Sequence, residues 1–216
     1  MDETVLRVLD FLGTVAFAIS GASLGVRRRM DLFGVLVLAT VTATAGGITR
    51  DILVGEIPPA AIADWKPITV AIASGVFTFY FKPLLRKLRS PVLMFDAAGL
   101  AAFAVVGSQK ALLHGVPFGS AVLLGIISAI GGGLVRDLMT AQVPTVLRSE
   151  IYAVAALTAS VIVAGGSVLE FSPRLAVPTA LISAFVLRVI AIRREWNLPT
   201  SPYAPKDQEP RDLQRP

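Results

Sequence analysis

Six charged residues sit inside stretches that are otherwise apolar, and they fall into two matched sets: Asp10 with Arg50-Asp51, and Asp96 with Arg136-Asp137. Each Arg-Asp pair follows a glycine run by three residues, Gly46-Gly47 before Arg50 and Gly131-Gly132-Gly133 before Arg136. Three residues is nearly one helical turn, so each arginine projects near the face of its glycines. An ionisable side chain inside a membrane span costs from about 2.5 to well over 10 kcal/mol by different measures, and such residues usually face a polar interior and mark a pathway. Glycine in a helix costs roughly 1 kcal/mol relative to alanine, and a run of it invites a kink or an unwound turn. Unwound backbone at membrane depth is tolerated where protein covers it or it lines a wet cavity. The spacing therefore predicts a polar path bordered by Gly46, Gly47, Arg50 and Asp51 near one end. Near the other end stand Gly131, Gly132, Gly133, Arg136 and Asp137.

Each of these residues has a plainer alternative. Small residues also let helix backbones approach closely, and arginines at helix ends can snorkel to the interface. Arg and Asp as sequence neighbours point in different directions and need not pair. Asp10 and Asp96 are either pore-mouth carboxylates, internal partners of the arginines, or acids favoured at a helix start. Ser128 and Thr40, Thr42, Thr44 and Thr49 place hydroxyls near the glycines, most of which are expected to satisfy helix carbonyls. Lys110 and Lys82 are expected to snorkel at span ends. His114 reads as a solvated loop residue.

The remaining inventory argues against an enzyme. There is no cysteine, which excludes disulfides, zinc–thiolate sites and iron–sulfur clusters. A single histidine excludes a multi-histidine metal site. Gly131-Gly132-Gly133 lacks the lysine of a phosphate loop, and no G-x-S-x-G elbow occurs. No metal, cofactor or nucleic acid is implied.

These residues need elements to hold them, and the composition says which. Of 216 residues, 54% are hydrophobic and 16% charged, against about 45–50% and 25% in soluble domains. The mean hydropathy is +0.71. A spanning helix needs roughly 20 apolar residues, and seven candidates appear, at about 4–26, 32–54, 67–85, 91–113, 116–139, 151–169 and 174–192. The start Met1-Asp2-Glu3 lacks the basic opening of a signal peptide, so the first span is expected to be retained. Residues 197–216, with five prolines and no apolar run, are expected to form a disordered tail. The net charge of +5 reflects topology more than nucleic acid. Fourteen Lys and Arg fall on one side of the expected spans and five on the other, which places the N-terminus outside and the C-terminus in the cytoplasm. The basic loops also suit anionic lipid headgroups.

The chain is internally repeated. Asp10, Gly13, Ala16-Phe17-Ala18 and Gly21 reappear 86 residues later as Asp96, Gly99, Ala102-Phe103-Ala104 and Gly107. The same offset carries Gly46-Gly47, Arg50-Asp51 and Pro58 onto Gly132-Gly133, Arg136-Asp137 and Pro144, and 13 of the 49 positions from Asp10 to Pro58 are identical without a gap. Each copy holds three spans, an odd number, so the second copy must enter the membrane from the opposite side. Inverted repeats of this kind commonly carry an ion or substrate path at their interface. The expected organisation is residues 1–89 as the first three-helix repeat and 90–170 as the second, inverted one. A seventh helix at 171–196 and the tail follow.

The pattern Asp10-x-x-Gly13 with Phe17-Ala18 and Gly21, then Gly46-Gly47-x-x-Arg50-Asp51, Gly55 and Pro58, resembles the bacterial trimeric intracellular cation channel family. The second copy, from Asp96-x-x-Gly99 through Gly131-Gly132-Gly133-x-x-Arg136-Asp137, matches it again, and the resemblance covers roughly residues 5–192. It implies an all-α membrane protein of seven helices that forms a homotrimer in the bacterial inner membrane. Each protomer would hold one ion path, bordered by kinked second and fifth helices and by the glycines, arginines and aspartates named above. The conducted ions would be potassium chiefly, with sodium less discriminated. Ala45 stands where the second copy has Gly131, so the second helix is expected to kink less. The Lys-Glu-Val lipid signature of animal members is absent. Bacterial relatives of this repeat are also described as glycine transporters, which leaves a carrier of a small zwitterion as the alternative, and a non-transporting scaffold as a third.

Overall fold

The computed structural model describes residues 3–81, 90–148, 151–194 and 196. The described residues are helical: α1 (Glu3–Arg27), α2 (Leu32–Leu53), α3 (Ala60–Ala63), α4 (Trp65–Tyr80), α5 (Pro91–Leu113), α6 (Phe118–Met139), α7 (Thr145–Arg148), α8 (Ile151–Val168) and α9 (Pro173–Arg194). Six of them are long and apolar enough to cross a membrane. Their limits fall within two residues of the expected spans. The expected third span is α4, whose 16 residues reach about 24 Å at 1.5 Å per residue, short of the roughly 30 Å hydrocarbon core. Residues 82–85 of that span lie outside the described residues, as do the basic stretch up to Arg89 and the expected tail.

Local chemistry sets the helix limits. The Asp31 side chain accepts from the Gly34 backbone N–H at 2.8 Å, which satisfies one free donor at the start of α2. Pro91 opens α5, where its missing N–H costs nothing. Past α2, Gly55 takes φ +80°, and past α6 the matched Ala141 takes φ +53°. The carbonyls of Asp51 and Asp137 are then capped by the amides of Glu56 and Gln142, at 2.8 and 2.9 Å.

The two halves pack in the same pattern. Helix α1 lies against α2 and α4, and α5 lies against α6 and α8. The halves meet along α1–α5 and α2–α6, and α9 covers α5 and α8. At the first seam Phe17 and Phe103 stack with centroids 5.3 Å apart. A Cβ on Gly13 would come within 2.9 Å of the Phe103 ring, and one on Gly99 within 2.6 Å of Phe17. The contact is reciprocal: each copy's phenylalanine fills the other copy's glycine.

The second seam corrects one expectation. Both α2 and α6 run as uninterrupted α-helix through Gly46-Gly47 and Gly131-Gly132-Gly133, so no turn is unwound there. The glycines are where the two backbones touch. A Cβ on Gly46 would collide with the Ser128 carbonyl oxygen, one on Gly132 with the Thr42 carbonyl oxygen, and one on Gly131 would sit 2.9 Å from Gly46 Cα. Gly47 differs, since its Cβ would meet nothing closer than Phe103 at 3.6 Å and Arg50 at 3.7 Å. Overpacking costs about 1–3 kcal/mol. Gly46→Ala and Gly132→Ala should each destabilise the fold by that much and lower the unfolding midpoint in detergent, whereas Gly47→Ala should leave the midpoint unchanged or raise it. Equal midpoints for Gly46→Ala and wild type would refute the close-contact assignment.

Candidate functional site

Two charge clusters stand at the ends of α2 and α6. In the first, Arg50 is 3% exposed and turns back on its neighbour, its Nε donating to Asp51 Oδ1 at 2.8 Å and its Nη2 lying 2.8 Å from the same oxygen. Lys110, from the end of α5, donates to Asp51 Oδ1 at 2.8 Å and pairs with Glu56 Oε2 at 2.5 Å. Asp51 Oδ2 accepts the Ala60 amide at 3.0 Å, which fixes the start of α3. Asp10 stands 3.8 Å from Arg50 Nη1 with its side chain 35% exposed. Between α1, α2, α3 and α4 a narrow cleft is lined by Asp10, Thr14, Thr44, Gly47, Arg50 and Phe103, among others.

The second cluster uses matched residues but is closed. Arg136 is 1% exposed; its Nε donates to Asp137 Oδ1 at 2.9 Å, and its Nη1 donates to Asp96 Oδ1 at 2.6 Å and to Ser20 Oγ at 2.7 Å. Asp137 Oδ2 accepts from both the amide and the hydroxyl of Thr145, at 2.7 and 2.8 Å, so this carboxylate fixes α7 as Asp51 fixes α3. The buried Tyr152 of α8 carries the Arg188 guanidinium over its ring at 4.7 Å. A Cβ on Gly133 would lie 2.5 Å from the Tyr152 hydroxyl and 3.1 Å from Asp96 Oδ1. The missing side chain leaves room for both.

Several expectations are thereby decided. The neighbouring Arg and Asp do pair, in both copies. Asp96 is a tight internal partner of its arginine; Asp10 is a looser one. The arginines do not snorkel, and neither does Lys110, which turns inward to Asp51 and Glu56 with its side chain 18% exposed. Lys82 lies outside the described residues. The hydroxyls of Thr42, Thr44 and Thr49 donate to the carbonyls of Leu38, Thr40 and Ala45. Ser128 is buried at the α2–α6 contact, its hydroxyl without a hydrogen-bond partner among the described residues. His114 accompanies the first cluster, its Nε2 3.8 Å from Glu56.

Sequence reasoning missed Ser20, Glu56, Tyr152 and Arg188 as cluster members. An arginine in mid-span, with no acid in its own helix, was a signal for Arg188. The others had none, because they lie far from their partners in sequence and outside the repeat identities.

The sequence model of a family described as Glycine transporter matches the chain twice, at residues 7–83 and 93–167. The chain is 40% identical over 196 residues to a UPF0126 membrane protein of Deinococcus radiodurans, covering 88% of this chain and 89% of that one. It is 36% identical over 195 residues to the UPF0126 inner membrane protein YadS of Escherichia coli, covering 89% and 94%. The chain belongs to this glycine transporter (UPF0126) family. It is a multi-pass membrane protein, and the two matches to the family model begin 86 residues apart, at the offset of the internal repeat. The fold is that of the TRIC cation channels. The TRIC trimeric intracellular cation channel orthologue from Rhodobacter sphaeroides superposes with a TM-score of 0.85 at 32% identity, over 90% of this chain and all of that one. A prokaryotic TRIC channel solved in 0.5 M KCl gives 0.84 at 33% identity, over 91% and 100%. These structural neighbours are channels, which are not enzymes.

The unequal burial of the clusters sets unequal costs. Breaking a buried pair by removing one partner costs about 3–5 kcal/mol, so Asp96→Asn should markedly lower the unfolding midpoint. Asp10 stands 3.8 Å from Arg50, which keeps its closer partner Asp51 at 2.8 Å, so Asp10→Asn should move the midpoint less. Thermal unfolding of the two variants in detergent checks the ranking, and similar midpoints would show that the clusters are energetically equivalent.

Proposed function

We propose that the protein is a cation channel with one ion path inside each protomer, running between α2 and α6 past the two clusters. The observation that carries this reading is the charge balance of the open cluster in a fold shared with cation channels. Around the cleft stand three carboxylates, Asp10, Asp51 and Glu56, against two cations, Arg50 and Lys110. An arginine in a cation path repels the ion unless it is neutralised, and here Asp51 neutralises it at hydrogen-bond distance. Low-dielectric walls around the surplus charge concentrate cations. The path elements are Gly46, Gly47, Arg50 and Asp51 on one side, and Ser128, Gly131, Gly132, Gly133, Arg136 and Asp137 on the other, with Asp10 at the open mouth and Asp96 locked at the closed one. Because backbones meet at the glycines, conduction requires α2 and α6 to bend or part there.

The reciprocal contacts of Phe17 with Gly99 and Phe103 with Gly13 support a twofold relation between the halves. Residues 1–89 and 90–170 then form inverted repeats, residues 171–196 a seventh helix, and 197–216 a cytoplasmic tail. This puts the Arg50 cluster toward the outer face and the Arg136 cluster toward the cytoplasm, with the N-terminus outside by the Lys and Arg bias. The related channels are trimeric, and a homotrimer in contact with membrane lipids is the proposed assembly. Potassium is the proposed principal ion, with sodium also conducted.

A second reading, a carrier of a small zwitterion such as glycine, is favoured by the family's description and by the arginine–carboxylate pairs. Recording in planar bilayers under a potassium chloride gradient separates the two. Discrete current steps reversing near the potassium potential are expected, and Asp10→Asn should lower the preference for potassium over chloride by about twofold or more. Silent bilayers together with saturable glycine counterflow in liposomes would replace the channel reading with the carrier.

A further inference from the structure

The chain has one histidine, and it caps α5 beside the open cluster. Its Nδ1 lies 2.9 Å from the Lys110 carbonyl oxygen. A carbonyl only accepts, so Nδ1 carries the ring proton and Nε2 is the nitrogen left to gain one. Nε2 faces Glu56 Oε2 at 3.8 Å. In the neutral ring these are two acceptors turned toward each other. A proton on Nε2 converts the same contact into a charge-assisted pair, which closes to about 2.7–2.9 Å. Both side chains are about one-third exposed, so water delivers the proton.

The matched positions at the other end serve as an internal control. The repeat offset carries Arg28 onto His114 and Glu56 onto Gln142. These two also meet: with its amide oxygen turned to Arg28, Gln142 accepts from Nε at 3.3 Å and from Nη2 at 2.8 Å. The scaffold thus makes one contact twice, between the residue that follows α1 or α5 and the loop that follows α6 or α2. At one end a permanent guanidinium meets a neutral amide. At the other a titratable imidazole meets a carboxylate, and only that contact changes its charge near neutral pH.

We infer that His114 is a proton-binding residue that sets the net charge of this mouth. Glu56 from the loop after α2 and Lys110 from α5 face the ring. Behind them stand Asp51 and Arg50 of α2 and Asp10 of α1. The first charged residue of α6 is Arg136, so the adjoining loop and the start of that helix add no charge. Val54 and Val116 pack on Ala111, Ala121 and Leu124, which seats the two loops together. Without the proton, three carboxylates stand against Arg50 and Lys110, and the surplus concentrates cations. The proton brings the cations to three and cancels that surplus. It also gives Glu56 Oε2 a second partner beside Lys110 Nζ, which stays 2.8 Å from Asp51. The effect on ion flow rests on the channel reading; the proton site does not.

Single-channel recording of the full-length protein in planar bilayers tests the effect, at low salt so that surface charge is not screened. One chamber at a time is taken from about pH 8 to about pH 5.5, across the ordinary histidine range. Potassium current should fall about twofold or more when one chamber is acidified and stay unchanged when the other is. His114→Gln should conduct like wild type at the higher pH and lose the acid response. Glu56→Gln should carry the reduced current already at the higher pH, because the surplus is gone before any proton binds. Glu56→Gln can also disturb the loop, so the partly exposed His114 carries the decision. An equal acid response in His114→Gln and wild type, or none in wild type channels, would overturn the proposal. Bilayers silent at every pH would remove the channel reading, and the ring ¹⁵N resonances then decide the proton site. With one histidine, a single pair of ring signals is expected, with Nδ1 protonated and Nε2 bare at high pH, and Nε2 gaining its proton on acidification. A bare Nδ1 at high pH would overturn the site.

Discussion

A guanidinium shut away from water must have its counter-charge brought to it by the helix bundle itself. Arg136, 1% exposed, cannot wait for solvent, and a buried ion left unpaired costs several kcal/mol. Its partners come from separate helices: Ser20 from α1, Asp96 from α5 and Asp137 from α6. Asp137 in turn holds the start of α7 through Thr145. One buried arginine thus fixes the relative positions of α1, α5 and α6 and of the segment leading into α8. Neutralisation is local, so a slide of α5 against α6 by one residue would unpair a charge. In lipid, where apolar contacts between helices have no hydrophobic driving force, such polar constraints carry more of the burden of fixing register than they do in a water-soluble bundle.

Duplication supplies two copies of this constraint, and small departures from identity give them different properties. Lys110 corresponds to Leu24, Val106 to Ser20, and Tyr152 to Lys66. In the second half these choices saturate the arginine and fill the space beside Gly133. In the first half a lysine from α5 engages Asp51 from the other side, and Arg50 is left with unused bonding capacity facing a cleft. The backbone scaffold is nearly common to both, down to the left-handed residue after each long helix and the aspartate that caps each short one. Among the many positions at which the copies differ, those three set the two arginine clusters apart.

Much of this was legible in the sequence. The helices follow from hydropathy and length, and the duplication follows from charged and proline identities at one offset, which apolar composition does not produce by chance. The matched positions of Asp10 and Asp96 left a helix start, a pore mouth and partnership with the arginines open; Asp96 pairs with Arg136 at 2.6 Å, and Asp10 stands 3.8 Å from Arg50. The glycine runs were legible as special but not as to kind. A run of glycines both weakens a helix and permits close approach, and only the facing residue decides; with Ser128 and Thr42 presenting backbone oxygens, contact prevailed over unwinding. Lys110 was misread because a lysine near a helix end has two low-energy solutions, outward to the interface or inward to an acid. Asp51, 59 residues away, is not visible from its neighbourhood. Tyr152 escaped because the other copy has Lys66 at its position, so no identity marked it.

On the proposed path, the channel and carrier readings differ less in structure than in timing. Two obstructions lie in series: the glycine contact of α2 with α6, and the buried Arg136 cluster. At the glycines no side chains interlock, so parting the helices disturbs backbone contact without dismantling a polar network. At Arg136 four groups must let go together, since releasing one leaves the rest of a buried network unsatisfied. The first barrier is therefore the lower one, and the second sets when the path is continuous. If the Arg136 cluster opens while the cleft at Arg50 is also open, ions flow down their gradient. If a solute arriving on the Arg50 side is what loosens the far cluster, the same residues produce alternating access. What separates the two is whether the Arg50 cluster is coupled, through α1 and α2, to the Arg136 cluster. Ser20 and Asp10 share helix α1, so a rigid shift of that helix toward Arg50 withdraws a hydrogen bond from Arg136. That coupling is mechanical, and it requires no contact between the two clusters.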